Sequence, residues 1–449
     1  MKINEGIFKA YDIRGIYGED FGEEMAERLG QAMVKFANAK TMVVGRDMRA
    51  SSPKLAKAVI RGVLSMGADV IDIGECSTPI FSFALAEYDL HDAGIMITAS
   101  HNPAKYNGFK LSLGNAMPIG KTSGMDEIKK LVLEGKFDQK PEGNIVDSPI
   151  TDEYIQKIFS FIDTEKIKHM KIIIDAGNGM GGPILEKIFK KLPQIELVPM
   201  YFKPDGTFPH HEANPLKEEN LIDLKEKMKE VEPDLGVAYD GDCDRVGFVD
   251  EKGETIPGDF ITALLAKEIL KKYPGGIVHY DLRSSWAVRD VINENGGKPE
   301  MCMVGHALIK NLMRKTGAVF SGELSSHFYF KDFFGVESGD LTLLFILTLI
   351  SEEGKSMSEL VAPLKKYYHS GEINFEVEDK EGMMKKLEEM YSVGAKDVSH
   401  LDGIRIEFDD WWFNVRASNT EPLLRLNLEA KTPELMEEKR DEISKILAS

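Results

Sequence analysis

Apolar and polar positions along this chain fall into one pattern that recurs three times. A β-rich run closes on an aspartate and a turn, an amphipathic helical stretch follows, and then another strand. The first copy is Thr41-Met42-Val43-Val44-Gly45-Arg46-Asp47, with a helix over 53–66 and a strand over 69–73. The second is Lys171-Ile172-Ile173-Ile174-Asp175, a glycine-rich turn over 177–182 and a helix over 183–191. The third is Ile277-Val278-His279-Tyr280-Asp281 with a helix over 285–293. Strands alternating with helices of this length predict βαβ units and mostly parallel pairing, an α/β class.

Each copy later supplies a further strand that runs into a chemically unusual loop. Residues 94–98 lead into Ala99-Ser100-His101-Asn102-Pro103. Residues 235–239 lead into Asp240-Gly241-Asp242-Cys243-Asp244-Arg245, and 318–320 into Gly322-Glu323-Leu324-Ser325-Ser326-His327. Ligands of open α/β sheets sit beyond the carboxyl ends of the strands. Three similar domains can therefore offer one loop each to a shared cleft. After about residue 368 the texture changes to short strands over 373–377, 403–408, 411–415 and 424–430 and helices over 382–390 and 433–447, a smaller α+β domain. The expected division is 1–148, 149–250, 251–368 and 369–449, three α/β domains with mixed sheets and an α+β domain around a central cleft.

A chain of 449 residues is too long for one core. Its net charge of −18 repels nucleic acid and anionic lipid, so neither is an expected partner, and an anionic substrate needs a local cationic site. Cys76, Cys243 and Cys302 are scattered without CxxC spacing and read as reduced thiols. The N-terminus has no apolar signal region. The longest apolar run, 341–350, falls short of the roughly 20 residues of a membrane span and reads as a buried helix. The expectation is a cytoplasmic protein.

Ser100-His101-Asn102-Pro103 puts a hydroxyl on a constrained loop, without the G-x-S-x-G setting of a hydrolase elbow. Asp240, Asp242 and Asp244 repel one another unless a cation sits among them, and hard carboxylate oxygens suit Mg²⁺ with a substrate phosphate. An EF-hand is excluded because Arg245 stands where its loop needs glycine. Gly177-Asn178-Gly179-Met180-Gly181-Gly182 formally contains a dinucleotide fingerprint, but no ribose-binding acid closes the next strand, and it reads as a structural turn. Arg416-Ala417-Ser418-Asn419-Thr420-Glu421-Pro422 clusters a guanidinium, hydroxyls and an amide in the manner of a phosphate grip. Glu323, Ser325 and His327 offer donors and acceptors suited to sugar hydroxyls. Tyr11-Asp12-Ile13-Arg14-Gly15 sets an arginine before a turn glycine.

Taken in order along the chain, Tyr11 to Gly15, Thr98 to Pro103 with Tyr106-Asn107-Gly108-Phe109-Lys110, Asp240 to Arg245, Gly322 to His327 and Arg416 to Thr420 resemble the α-D-phosphohexomutase superfamily, in its phosphomannomutase/phosphoglucomutase branch. The resemblance implies a phosphoserine at Ser100, and Mg²⁺ held by that group with Asp240, Asp242 and Asp244. It implies Arg14, His101, Lys110 and Arg245 around the transferring phosphoryl group, with Lys110 or His101 as proton acceptor. Glu323, Ser325 and His327 would bind sugar hydroxyls, and Arg416, Ser418, Asn419 and Thr420 the non-reacting phosphate, with further contacts from Tyr11, Arg283 and His306. The implied activity exchanges hexose 1-phosphate and hexose 6-phosphate, mannose or glucose, through a hexose 1,6-bisphosphate that is both intermediate and activator. Sugar phosphates are the expected partners, and a homo-oligomer stays open.

Two departures stand out. Leu324 and Ser326 take places where the branch more usually has Met and Gly, and Arg283 stands where some relatives carry lysine. Phosphoglucosamine mutase is the competing reading within the superfamily, although its loop usually has a Ser-Gly-Thr core where this chain has Ser418-Asn419-Thr420. Outside it, a phosphatase with Asp240 as nucleophile competes. A sensor without turnover is opposed by the intact serine and the three aspartates.

Overall fold

The structure is a computed structural model and describes residues 3–417 and 423–448. Three mixed α/β sheets follow one another along the chain, and an antiparallel sheet ends it. In each mixed sheet the first strand of the recurring pattern is central: Thr41–Arg46, Met170–Asp175 and Ile277–Asp281. On one side it pairs in parallel with the strand after its helix, Asp69–Glu75, Ile195–Met200 or Lys298–Cys302. On the other it pairs in parallel with the loop-bearing strand, Ala93–Ile97, Leu235–Tyr239 or Phe320–Gly322.

Each loop-bearing strand then turns into an antiparallel partner, Tyr106–Leu113, Val246–Val249 or Phe328–Phe330. The sheets are therefore parallel only at their centres. A loop of a few residues can join antiparallel neighbours alone, because a parallel return needs a crossover of about a dozen residues or more. All three chemical loops are the same hairpin connection in three copies of one topology. Small shifts separate expectation from structure. The helices span Ser52–Ser65, Gly181–Phe189 and Trp286–Glu294. The third loop strand begins two residues later than its apolar run, set by the pairing of Val278 with Phe320 and Tyr280 with Gly322.

Central strands are covered on both faces, so Ile172, Ile173 and Ile174 are all fully buried. The apolar run at 341–350 lies within the helix Gly339–Glu353, capped by the Ser338 hydroxyl, which accepts from the Leu341 amide at 3.1 Å, and ended by Gly354 at φ +63. Leu343, Leu344, Ile346 and Leu347 on it are buried, each contributing about 1.5–3 kcal/mol. A ring trio locks the three units together. Phe83 meets Tyr154 at 5.9 Å and stacks on Phe333 at 6.4 Å, and Tyr154 meets Phe333 at 5.9 Å.

In the C-terminal sheet Leu423–Ala430 pairs with Trp411–Ala417 and, on its other side, with Tyr368–His369 and Ile373–Glu376. The helices Lys380–Tyr391 and Pro433–Leu447 accompany it. All three cysteines are buried and free. Among the described residues no helix is long and apolar enough to cross a membrane.

Candidate active site

The hairpin loops of the three mixed sheets meet. Ser100 Oγ donates to Asp240 Oδ2 at 2.8 Å and lies 3.1 Å from His101 Nδ1. Ser100 is buried and adopts the left-handed region at φ +49, which costs a non-glycine residue on the order of 1–2 kcal/mol. Surrounding bonds hold it there. Its amide donates to Thr98 Oγ1 at 2.9 Å, and Arg49 donates to four carbonyls of the loop: Ser100 at 2.8 Å, Asn102 at 2.6 Å, Pro103 at 2.9 Å and Tyr106 at 3.0 Å. Arg49 is itself fully buried and paired with Asp47 at 3.2 Å.

Backbone contact joins the loops. A Cβ on Gly241 would stand 2.6 Å from the Ser100 carbonyl oxygen, and one on Gly179 would stand 2.8 Å from the Gly241 carbonyl oxygen. The Met180 amide donates to that Gly241 oxygen at 2.9 Å. The glycine-rich turn thus forms the floor on which the aspartate loop lies against the serine loop. It does so by close approach, a structural role.

Asp240, Asp242 and Asp244 are buried, and one oxygen of each lies within 4.8 Å of the others. Lys110 Nζ donates to Asp242 Oδ2 at 2.8 Å and to Asp244 Oδ2, and Thr78 Oγ1 donates to Asp242 Oδ2 at 2.6 Å. Burial works against the Lys110 ammonium, but Asp242 and Asp244 outweigh it and raise its pKa. Burial, with Asp244 and Asp242 beside it, pushes the Asp240 carboxyl well above the usual range. Asp244 is held well below that range, because Lys110 and His327 overcome the effect of its burial. Asp242 Oδ1 and Asp244 Oδ1 accept no hydrogen bond among the described residues, and Asp244 Oδ1 has only the ion pair with His327 at 3.4 Å. Buried carboxylate oxygens with so little satisfaction are costly, so this donor set fits a hard divalent cation.

The third loop adds polar groups from the opposite side. Arg245 Nε lies 3.2 Å from His327 Nε2, and His327 lies 3.4 Å from Asp244 and 3.2 Å from Glu323. Ser325 Oγ stands 3.1 Å from His327 Nδ1. Glu323 accepts from Tyr329 at 2.6 Å and from the Gly305 amide at 3.0 Å. Burial opposes its charge, but His327 and Tyr329 lower its pKa to about 2. Burial likewise opposes the His327 cation, and Asp244 leads the groups that raise it to about 9. His101 goes the other way, since burial and then Arg245 and Arg14 hold it neutral.

Arg14 donates to Asn102 at 2.6 Å and pairs with Asp12. Tyr11 donates to the Val304 carbonyl at 3.2 Å and packs edge-on against His306 at 6.0 Å, so the N-terminal segment touches the third unit. Arg283 pairs with Asp281 through Nε at 3.1 Å and Nη2 at 2.7 Å. Arg416 is buried at the end of its strand. Ser418, Asn419 and Thr420 lie outside the described residues.

Sequence reasoning passed over Arg49, Thr78 and Asp281. Asp281 accepts from the Leu324 amide at 2.7 Å and so ties Arg283 to the loop that carries Glu323 and His327. One signal existed. Arg49 follows Asp47 by two residues, as Arg283 follows Asp281. Nothing local marks Thr78, whose role depends on a loop more than 160 positions away.

Comparison with known proteins agrees along the whole chain. Models of the phosphoglucomutase/phosphomannomutase α/β/α domains I, II and III match residues 5–139, 152–253 and 257–367, and the model of its C-terminal domain matches 372–446. A phosphomannomutase of Methanocaldococcus jannaschii is 42% identical over 453 residues, covering 98% of this chain and 97% of that protein. The phosphomannomutase of Escherichia coli strain K12 is 39% identical over 432 residues, covering 94% of each. A crystal structure of a phosphoglucomutase/phosphomannomutase family protein from Burkholderia thailandensis superposes with a TM-score of 0.90 at 33% identity, covering 99% of this chain and 98% of that one. With all four of the family's domains matched in order and its serine, aspartate and Glu323–His327 loops brought together, the chain belongs to the phosphoglucomutase/phosphomannomutase family.

Proposed function

We propose that this phosphohexose mutase carries its transferable phosphoryl group on Ser100, and exchanges hexose 1-phosphate and hexose 6-phosphate through a hexose 1,6-bisphosphate that also primes it. The observation that carries this reading is the contact of Ser100 Oγ with Asp240 at 2.8 Å, inside a cluster of buried acids and cations. The units 1–148, 149–250 and 251–368 each contribute a loop, the serine, metal and sugar loops. The unit 369–449 contributes the phosphate grip at Arg416, Ser418, Asn419 and Thr420. Mannose phosphates, glucose phosphates or both are the substrates, and the cytoplasm is the place of work.

Asp240, Asp242, Asp244 and the phosphoserine oxygens would hold Mg²⁺, which when bound offsets charge on the transferring phosphoryl group. The protein's own groups do the rest. Transfer breaks the bond between phosphorus and Ser100 Oγ as the substrate O6 or O1 bonds to phosphorus, and the proton of that hydroxyl needs an acceptor. His101, held neutral, is the acceptor within reach, whereas Lys110 stays protonated between two carboxylates. The proton that His101 takes from the substrate hydroxyl passes to the leaving Ser100 Oγ, 3.1 Å from Nδ1. In the return step the Ser100 hydroxyl attacks while His101 takes that proton back and hands it to the leaving sugar oxygen. Arg14 and Arg245 face the growing charge, and Glu323, Ser325 and His327 orient the sugar, with Tyr11, Arg283 and His306 around it.

The test loads purified protein with glucose 1,6-bisphosphate and locates phosphate by peptide mass spectrometry. Phosphate on Ser100, absent from Ser100→Ala together with roughly 10³-fold of turnover, is expected. Acid-labile phosphate on Asp240 with full activity of Ser100→Ala would sink the reading. Turnover of mannose 1-phosphate, glucose 1-phosphate and glucosamine 1-phosphate then ranks the substrates.

A further inference from the structure

Arg416 and Arg425 stand directly opposite each other on neighbouring strands, the one place in that ladder where two guanidinium groups pair. Like charges in this position repel, so an anion belongs between them. The structure supplies one from the chain itself. Glu372 Oε1 accepts from Arg425 Nη1 at 3.1 Å, and Oε2 lies 3.5 Å from Arg416 Nη2 and 3.7 Å from Arg283 Nη1. Arg416 and Arg425 on the C-terminal sheet and Arg283, just beyond the central strand of the third sheet, thus share one carboxylate. Arg283 is balanced by Asp281, but Arg416 Nε is buried without a hydrogen-bond partner among the described residues.

We propose that Glu372 is an internal counter-anion that holds the Arg283–Arg416–Arg425 cluster whenever the substrate's non-reacting phosphate is away, and competes with that phosphate for it. The inference rests on the reading of Arg416 as a phosphate grip. Exposure favours an exchange. The Glu372 side chain is 27% exposed and Arg425 24%, whereas Arg283 and Arg416 are 8% and 5% exposed, so the carboxylate can swing to water while Arg283 and Arg416 stay in place. A dianionic phosphate makes more charge-assisted bonds than one carboxylate and can displace it. The turnover cycle needs this reversibility. A bisphosphate that turns end for end must be released and gripped again, and the desolvated guanidinium groups of Arg283 and Arg416, left bare, would release it slowly. Glu372 therefore sets how tightly the loop holds phosphate, exchanging affinity for release.

The test is calorimetric titration of the full chain with inorganic phosphate. Glu372→Gln keeps the side-chain shape and removes the charge, and is expected to bind phosphate about tenfold more tightly. It is also expected to lower KM for glucose 1-phosphate without raising kcat. Glu372→Asp restores the charge and should return phosphate affinity toward that of the unaltered protein. Arg416→Ala combined with Glu372→Gln should abolish the gain. Unchanged or weaker phosphate binding by Glu372→Gln, or a gain that survives without Arg416, overturns the proposal. Glu372→Ser is read in the same way should the glutamine variant not fold. Phosphate affinity untouched by Arg416→Ala alone sinks the phosphate grip itself, a separate failure.

Discussion

Arg49 and Arg283 occupy corresponding places in two copies of one fold, two residues beyond the aspartate that closes the central strand. Each folds back on that aspartate through Nε, Arg49 on Asp47 at 3.2 Å and Arg283 on Asp281 at 3.1 Å. In both, the same aspartate also accepts from the arginine's own amide, at 3.0 Å and 2.8 Å. Their remaining nitrogens differ. Arg49 turns inward to four carbonyls of the serine loop, and Arg283 reaches toward Glu372. In the second copy Gly177 takes the arginine's place, and Asp175 pairs with His211 at 2.8 Å.

Arg49→Ala should destabilise the protein by about 3–5 kcal/mol, because it leaves Asp47 buried and unpaired along with four carbonyls. Arg49→Lys restores charge but not the fork, so it should recover part of the stability and little of kcat. Urea unfolding and steady-state kinetics check this. A loss below about 1 kcal/mol for the alanine variant would be too small for a buried clamp.

Gly241→Ala tests the backbone contact. The added methyl would sit 2.6 Å from the Ser100 carbonyl oxygen, so the serine and aspartate loops must separate. A displacement of about 1 Å from reacting groups costs on the order of 10²-fold in rate. A fall in kcat of that size, with KM for glucose 1-phosphate little changed, is expected.

Lys110→Met removes the ammonium that faces Asp242 and Asp244. The three aspartates then lack a protein cation at that position, and Mg²⁺ should bind more tightly, by roughly tenfold, while turnover falls. Calorimetric titration with Mg²⁺ reads the first and the mutase assay the second. Chelation of divalent metal should abolish turnover in the unaltered protein.

Asp340 gives a pH signature. It is buried, accepts from Tyr154 at 2.8 Å, and burial raises its carboxyl from 3.8 to about 6. The folded state thus holds its proton to higher pH than the unfolded chain does. Stability from this group is present below pH 4 and is lost as pH rises through 6. The loss is on the order of 3 kcal/mol. Asp340→Asn does not titrate, so its stability relative to the unaltered protein should rise by about that amount between pH 4 and 7. Chemical unfolding at both pH values measures it, and a pH-independent difference would contradict the assignment.

Local order decided much of this protein. Apolar runs such as Ile172-Ile173-Ile174 specify buried central strands, and three aspartates spaced two apart on one loop announce a cation site wherever the chain places them. The order of the five motifs was equally legible, because each motif is contiguous and its chemistry is carried by neighbours in sequence. Long-range packing decided the rest. Arg49 is the clamp of the serine loop, and Arg283 a neighbour of Glu372, only because sheets pack so that their nitrogens reach residues far along the chain. Thr78 meets Asp242, and Arg416 meets Arg425, through docking and strand register. A hydrogen bond such as that between Thr78 and Asp242, 164 residues apart, depends on distances of a few tenths of an ångström, and such distances exist only once the cores have closed.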